Sequence, residues 1–144
     1  MSLPPESDTP KNIPTLRIQL WLETEDGQYF GMGRAQLLER IRAHGSLKKA
    51  AAEMGMSYRA AWGKIRRTES VMGEKIIRRS GTRRDGHELT PFGTQVMESY
   101  NEWFNAVEED ALRLAHRMFP WRVKRYPDSR TPAETAPPAS RRER

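Results

Sequence analysis

Between Ser57 and Asp85 the chain carries Arg59, Lys64, Arg66, Arg67, Lys75, Arg78, Arg79, Arg83 and Arg84 against only Glu69, Glu74 and Asp85. Elsewhere the chain balances at sixteen basic and sixteen acidic residues, so the whole net charge of +6 belongs to this one segment. Cationic groups at such density hold phosphate oxygens, and a surplus concentrated in one stretch is the footprint of a polyanion-binding surface. Catalytic chemistry has less to work with. There is no cysteine, which excludes thiol nucleophiles, disulfides and thiolate metal sites together. His44, His87 and His116 stand far apart and read as isolated surface residues. HExxH, GxSxG and a glycine-rich phosphate loop are absent, and Gly31 and Gly33 lack the spacing of a nucleotide fingerprint. No enzyme activity, metal site or cofactor is expected.

The cations need a scaffold, and KKAAAEMGMSYRAAWGKIRR, from Lys48 to Arg67, supplies it. Ser46 reads as the N-cap of a short helix through Met54 whose Ala50, Ala51 and Ala52 let a crossing helix approach closely. Gly55 suits the left-handed turn that ends it, and Ser57 caps the next helix, 57–72. Two helices joined so tightly make a helix-turn-helix. At about 100° per residue, Tyr58, Ala61, Trp62, Ile65, Thr68, Glu69 and Met72 share one mostly apolar arc of the second helix. Arg59, Ala60, Gly63, Arg66, Arg67 and Ser70 lie opposite. Ala60 and Gly63 would let the backbone sink toward a groove floor while Arg59, Lys64, Arg66 and Arg67 reach phosphates or base edges. A glycine inside a helix costs roughly 1 kcal/mol relative to alanine, and groove binding gives that cost a return.

The flanking elements follow from pattern. Leu16, Ile18, Leu20 and Leu22 alternate with Arg17, Gln19 and Trp21 as a half-buried strand, and the Asp-Gly turn in ETEDGQ makes it the first arm of a hairpin. Ala35, Leu37, Leu38 and Ile41 give a helix ending at His44-Gly45. KIIRRS, GTRRDG and HELT read as strand, turn and strand, a basic wing over 76–89 with Arg83 and Arg84 at its tip. Thr90 and Pro91 begin a long helix, 90–119. In it Phe92, Val96, Tyr100, Trp103, Val107, Ala111, Leu114 and Met118 form a nearly heptad seam, too long for a core this small, which predicts dimerisation. Tyr100, Trp103, Val107, Leu114 and Met118 are its expected contacts, with Trp21 of the hairpin beside them.

Laid out this way, YFGMGRAQLLERI, GSLKKAAAEMGMSYRAAWGKI and the LTPFG opening of the long helix resemble the N-terminal DNA-binding domain of ModE-type molybdate-responsive regulators, a winged-helix group close to the LysR-type regulators. The resemblance covers about Leu16 to Phe119. It implies that the helix beginning SYRAAW lies in the major groove, with Ser57, Tyr58 and Arg59 as contact positions. The wing here is the compact SGTRRDGHE, where that family often has a glycine-rich one. A proline-rich stretch follows Trp121 where the family carries its oxyanion-binding module, so no molybdate binding is expected in this chain.

The expected fold is therefore mainly α with small β: a winged helix-turn-helix with an N-terminal β-hairpin and a long C-terminal dimerisation helix. Residues 1–14 read as a disordered arm, 15–119 as the DNA-binding domain and 120–144 as a basic, proline-rich disordered tail. The first residues lack a signal peptide's apolar run, so the expected location is the cytoplasm. The expected function is sequence-specific binding of double-stranded DNA as a homodimeric transcriptional regulator. The alternative is a winged helix that docks RNA or a protein partner.

Overall fold

The computed structural model describes residues 12–82 and 84–127. Strand β1 (Thr15–Leu16) is followed by the antiparallel pair β2 (Trp21–Thr24) and β3 (Gly27–Gly31). The predicted alternation holds through Trp21, with Leu16, Ile18 and Leu20 half-buried and Arg17, Gln19 and Trp21 exposed, but Leu22, predicted on the buried face, is exposed, and the ladder is interrupted between Leu16 and Trp21. There the Leu20 carbonyl accepts the Tyr100 hydroxyl at 2.9 Å, so a tertiary bond holds that stretch.

Helix α1 (Met32–His44) buries Ala35, Leu37, Leu38 and Ile41 and stops at Gly45, whose φ of 68° is left-handed. Helix α2 (Leu47–Glu53) begins at Ser46, whose hydroxyl accepts the Lys49 amide at 3.0 Å. Helix α3 (Tyr58–Met72) buries Ala61, Ile65 and Thr68, and β4 (Ile77–Arg79) pairs antiparallel with β5 (His87–Leu89). Two residues of the apolar arc that look misplaced there anchor backbone: Thr68 donates its hydroxyl to the Tyr29 carbonyl, and the Glu69 carboxylate accepts the Ile76 amide at 2.8 Å. A buried polar side chain is tolerable once so paired. The core joins Phe30, Leu37, Leu38, Ile41, Leu47, Ile65 and Ile76 to Met97, Tyr100 and Phe104.

Helix α4 (Pro91–Met118) starts on the β4 side of the fold. Thr90 caps it by accepting the Gly93 amide at 2.9 Å and donates to the Lys75 carbonyl at 2.8 Å. A Cβ on Gly93 would lie 2.1 Å from the Ile76 carbonyl oxygen, so this backbone approach admits glycine alone. The stripe that α4 buries is Gly93, Met97, Tyr100, Phe104, Glu108 and Leu112, one step around from the predicted seam. Tyr100, assigned to dimerisation from sequence, is a core residue: it packs edge-on against Phe30 at 5.6 Å besides bonding Leu20. Its aromatic bulk fits either stripe, and the core side holds it because a carbonyl waits there for the hydroxyl. The remainder of the seam borders this stripe, with Val107 and Ala111 half-buried and Trp103, Leu114 and Met118 exposed.

Residues 120–127, read from sequence as the start of a disordered tail, fold back along α4. Strand β6 (Lys124–Arg125) runs parallel to β1, and Arg125 pairs with the buried Glu108 at 2.6 Å and with Glu109 at 2.9 Å. Arg17 lies 3.9 Å over the Tyr126 ring. A buried carboxylate in α4 demands a cation, and this return supplies it. The rest of the predicted tail, and residues 1–11 of the arm, fall outside the described residues.

Candidate nucleic-acid interface

Close packing of small residues builds the helix-turn-helix. Ala50 and Ala51 of α2 and Ala61 of α3 are all buried, and Gly55, at φ 72°, reverses the chain between the two helices. The Ser57 hydroxyl accepts the Ala60 amide at 3.0 Å, which fixes where α3 begins and hence which residues its N-terminal turn presents. Arg59, Ala60, Gly63, Arg66 and Ser70 are exposed along one flank, and Tyr58, from the apolar arc, is exposed at the N-terminal turn. A Cβ on Gly63 would meet nothing within 4 Å, so no neighbour within the chain requires glycine there. Arg66 stands 5.1 Å over the Trp62 ring, which holds a guanidinium on the exposed flank.

Two basic residues of the predicted set are less exposed than that flank. Lys64 is half-buried, and its carbonyl accepts the Arg34 Nε at 3.3 Å. Arg67 turns to the hairpin, donating from Nε to the Gln28 carbonyl at 3.1 Å and from Nη2 to the Gly27 carbonyl at 3.2 Å. The helical wheel put Arg67 with Arg66, yet nearby carbonyls compete better for its fork than water does. Its sequence assignment to DNA contact is therefore corrected.

The wing stands beside α3. Arg79 pairs with His87 and Arg78 with Glu88 in the β4–β5 register, and the loop closes through the Ser80 amide on the Gly86 carbonyl at 2.9 Å. Arg84 is exposed at the tip, whereas Arg83 lies outside the described residues. The β5 strand is tied to the end of α1 by the His87 amide on the Gly45 carbonyl at 3.0 Å.

Between α3 and the wing opens a cleft of about 780 Å³ whose walls include Lys48, Lys75, Arg78 and Arg79 as cations, Tyr58, Trp62 and His87 as aromatics, and Asp85 as acid. His87, read from sequence as a surface residue, is only 7% exposed, and its ring meets Trp62 edge-on. Burial first, and the Arg79 guanidinium second, lower its pKa, with Asp85 opposing. Its Nδ1 has no hydrogen-bond partner among the described residues. Sequence reasoning missed Lys48, Trp62 and His87 here. Lys48 lies before the basic segment, Trp62 fell on the apolar arc, and the period-2 alternation of a three-residue strand is too short to point His87 inward. Among the described residues no group of three or more His, Asp or Glu side chains converges as metal ligands do, and no helix is long and apolar enough to cross a membrane.

Residues 32–94 match the family model described as bacterial regulatory helix-turn-helix protein, lysR family. Curated proteins are similar over 90 to 106 residues. One is the molybdenum transport protein ModE of Azotobacter vinelandii, 29% identical over 67% of this chain and 37% of its own length. Another is the molybdenum-pterin-binding protein MopB of Rhodobacter capsulatus, 32% identical over 61% of this chain and 32% of its own. A third is the transcriptional regulator ModE of Yersinia pestis, 26% identical over 67% of this chain and 40% of its own. The chain thus spans between a third and two fifths of the length of these relatives.

Proposed function

We propose that this chain, whose residues 32–94 are a LysR-type bacterial helix-turn-helix domain, is a transcriptional regulator that binds double-stranded DNA sequence-specifically as a homodimer. α3 acts as the recognition helix in the major groove, and the wing rests on the backbone beside it. The observation that carries this reading is the exposed flank of α3, where Ala60 and Gly63 leave room for a groove floor and Arg59 and Arg66 flank it.

Ser57 and Tyr58 sit at the N-terminal turn, which in helix-turn-helix docking meets base edges, and Arg59 follows them. The cations of the cleft, with Lys64, Arg84 and Arg83, serve the phosphates on either side. These contacts fix register and supply salt-dependent affinity, whereas Arg59 supplies discrimination.

The homodimer reading rests on α4 and the hairpin. Trp103, Leu114 and Met118 run along the outer side of α4, and Trp21 is exposed on β2. Val107 borders the same side. Apolar residues repeated along one helix face are the material of a two-fold interface, and a dimer would set two copies of α3 on one side of a duplex. What the molybdenum-named relatives bind through the rest of their length is left with those proteins, and molybdate stays outside the proposal.

Selection from random duplexes followed by titration across salt tests the reading. A recovered consensus bound with a steep negative slope of log K against log salt is expected. Preference for RNA, or retention of a protein with no duplex preference, would count against it.

A further inference from the structure

Arg67 belongs to the basic run of α3 but spends its donors elsewhere. Its Nε reaches the Gln28 carbonyl at 3.1 Å, while Nη2 reaches the Gly27 carbonyl at 3.2 Å and the Thr24 hydroxyl at 3.3 Å. The next residue, Thr68, is fully buried and donates to the Tyr29 carbonyl. Three successive carbonyls of β3 are thus held by two successive residues of α3. The hairpin register explains part of this: Leu22 pairs with Phe30 and Glu23 with Gln28, so Tyr29 is the extra residue of a bulge and has no partner across the ladder.

The same hairpin carries Trp21 and Leu22, 42% and 39% exposed, and leads back to Leu20, whose carbonyl holds Tyr100 of α4. It therefore stands between the recognition helix and the elements assigned to dimer formation. The geometry points to Arg67 as a positioning residue that ties α3 to the hairpin and so sets the separation of the two recognition helices in the dimer. That separation is the half-site spacing the dimer accepts. The inference rests on the homodimer reading above. It assigns Arg67 to spacing rather than to phosphate or base contact, and it requires the planar fork: an ammonium is a point charge on a flexible stem and cannot reproduce the fixed geometry with which the guanidinium spans these acceptors.

The test uses the full chain with Arg67→Ala, Arg67→Lys and Thr24→Val, on the selected duplex and on versions with one or two base pairs inserted between half-sites. Each inserted pair rotates one half-site by about 35° relative to the other. The wild type should lose more than about tenfold in affinity per insertion, because the second contact no longer forms intramolecularly. Arg67→Ala and Arg67→Lys should lose less than about threefold, with the salt slope of the uninterrupted duplex unchanged from wild type. Thr24→Val, which removes one acceptor and no charge, should fall between. The Lys and Val variants keep the test open if Arg67→Ala does not fold. If Arg67→Lys keeps wild-type spacing discrimination, or if Arg67→Ala lowers the salt slope by about one per protomer with discrimination intact, Arg67 is not the spacer and the inference is overturned. A wild type that sediments as a monomer removes the homodimer reading and the spacing role together. A dimer whose Arg67→Lys form discriminates normally removes the Arg67 role alone.

Discussion

The rings of Trp62 and His87 meet edge to face, with centroids 5.5 Å apart and planes at 83°, so α3 and the wing touch through an aromatic contact. Tyr58 extends the row, its ring 6.3 Å from that of Trp62. The contact places a titratable ring on the floor of the cationic cleft.

Stability should fall on the acid side of neutrality because of His87. Its pKa in the folded chain is lowered from 6.5 by burial and by Arg79, so the unfolded chain takes up a proton before the folded one does. Stability from the neutral ring is then fully present above about pH 6.5 and is lost as pH falls through that value toward the lower folded pKa. Melting temperature measured downward from about pH 8 should decline less steeply in His87→Gln than in the wild type below the unfolded pKa. Identical slopes would show that His87 does not carry the effect.

Gly63 and Gly93 should respond oppositely to alanine. Nothing lies within 4 Å of a Cβ at Gly63, whereas one at Gly93 would press on the Ile76 carbonyl oxygen at 2.1 Å. Gly63→Ala should raise stability by about 0.5–1 kcal/mol and still weaken binding to the selected duplex. Gly93→Ala should cost about 1–3 kcal/mol as α4 is pushed off the Ile76 backbone. Urea unfolding and duplex titration on both variants check this, and unaltered specific affinity in Gly63→Ala would remove the groove-floor role.

Arg125→Ala should destabilise the chain by about 1–3 kcal/mol, because Glu108 is 5% exposed and would be left with a buried carboxylate lacking its cation. The figure belongs to the buried acid, since the Arg125 side chain is itself 43% exposed. Glu108→Leu should be close to neutral, because an apolar replacement removes the desolvation cost along with the pair. Unfolding curves for the two variants decide it.

Leu114→Glu combined with Met118→Glu should give a folded monomer. Both side chains are well exposed at the C-terminal end of α4, so charge there leaves the core untouched while opposing a second copy. Light scattering and circular dichroism read the two halves, and a variant that stays dimeric would move the interface elsewhere.

Much of this architecture was legible in the sequence because local signals agreed. Ser46, Ser57 and Thr90 cap the helices they were expected to cap, and Gly45 and Gly55 take the left-handed conformations their places suggested. What stayed hidden was decided by partners distant in sequence. Tyr100 is core because Leu20 holds its hydroxyl, and Arg67 faces inward because Thr24, Gly27 and Gln28 do. The parallel pairing of Thr15 with Lys124 joins residues too far apart for any periodicity to announce. A helical wheel assigns a direction to each side chain but does not say what waits there.

The most direct test of the central claim compares the wild type with Arg59→Ala on the selected duplex and on a scrambled one of equal length and charge. Arg59 is exposed on the first turn of α3, beside Tyr58 and clear of the core. The account predicts that the wild type prefers the selected duplex by about 10³-fold or more at physiological salt. Arg59→Ala should lose about 1–3 kcal/mol on that duplex while its scrambled-duplex affinity changes little. Equal affinity of the wild type for both duplexes, or an Arg59→Ala variant with undiminished preference, would contradict the placement of α3 in the major groove.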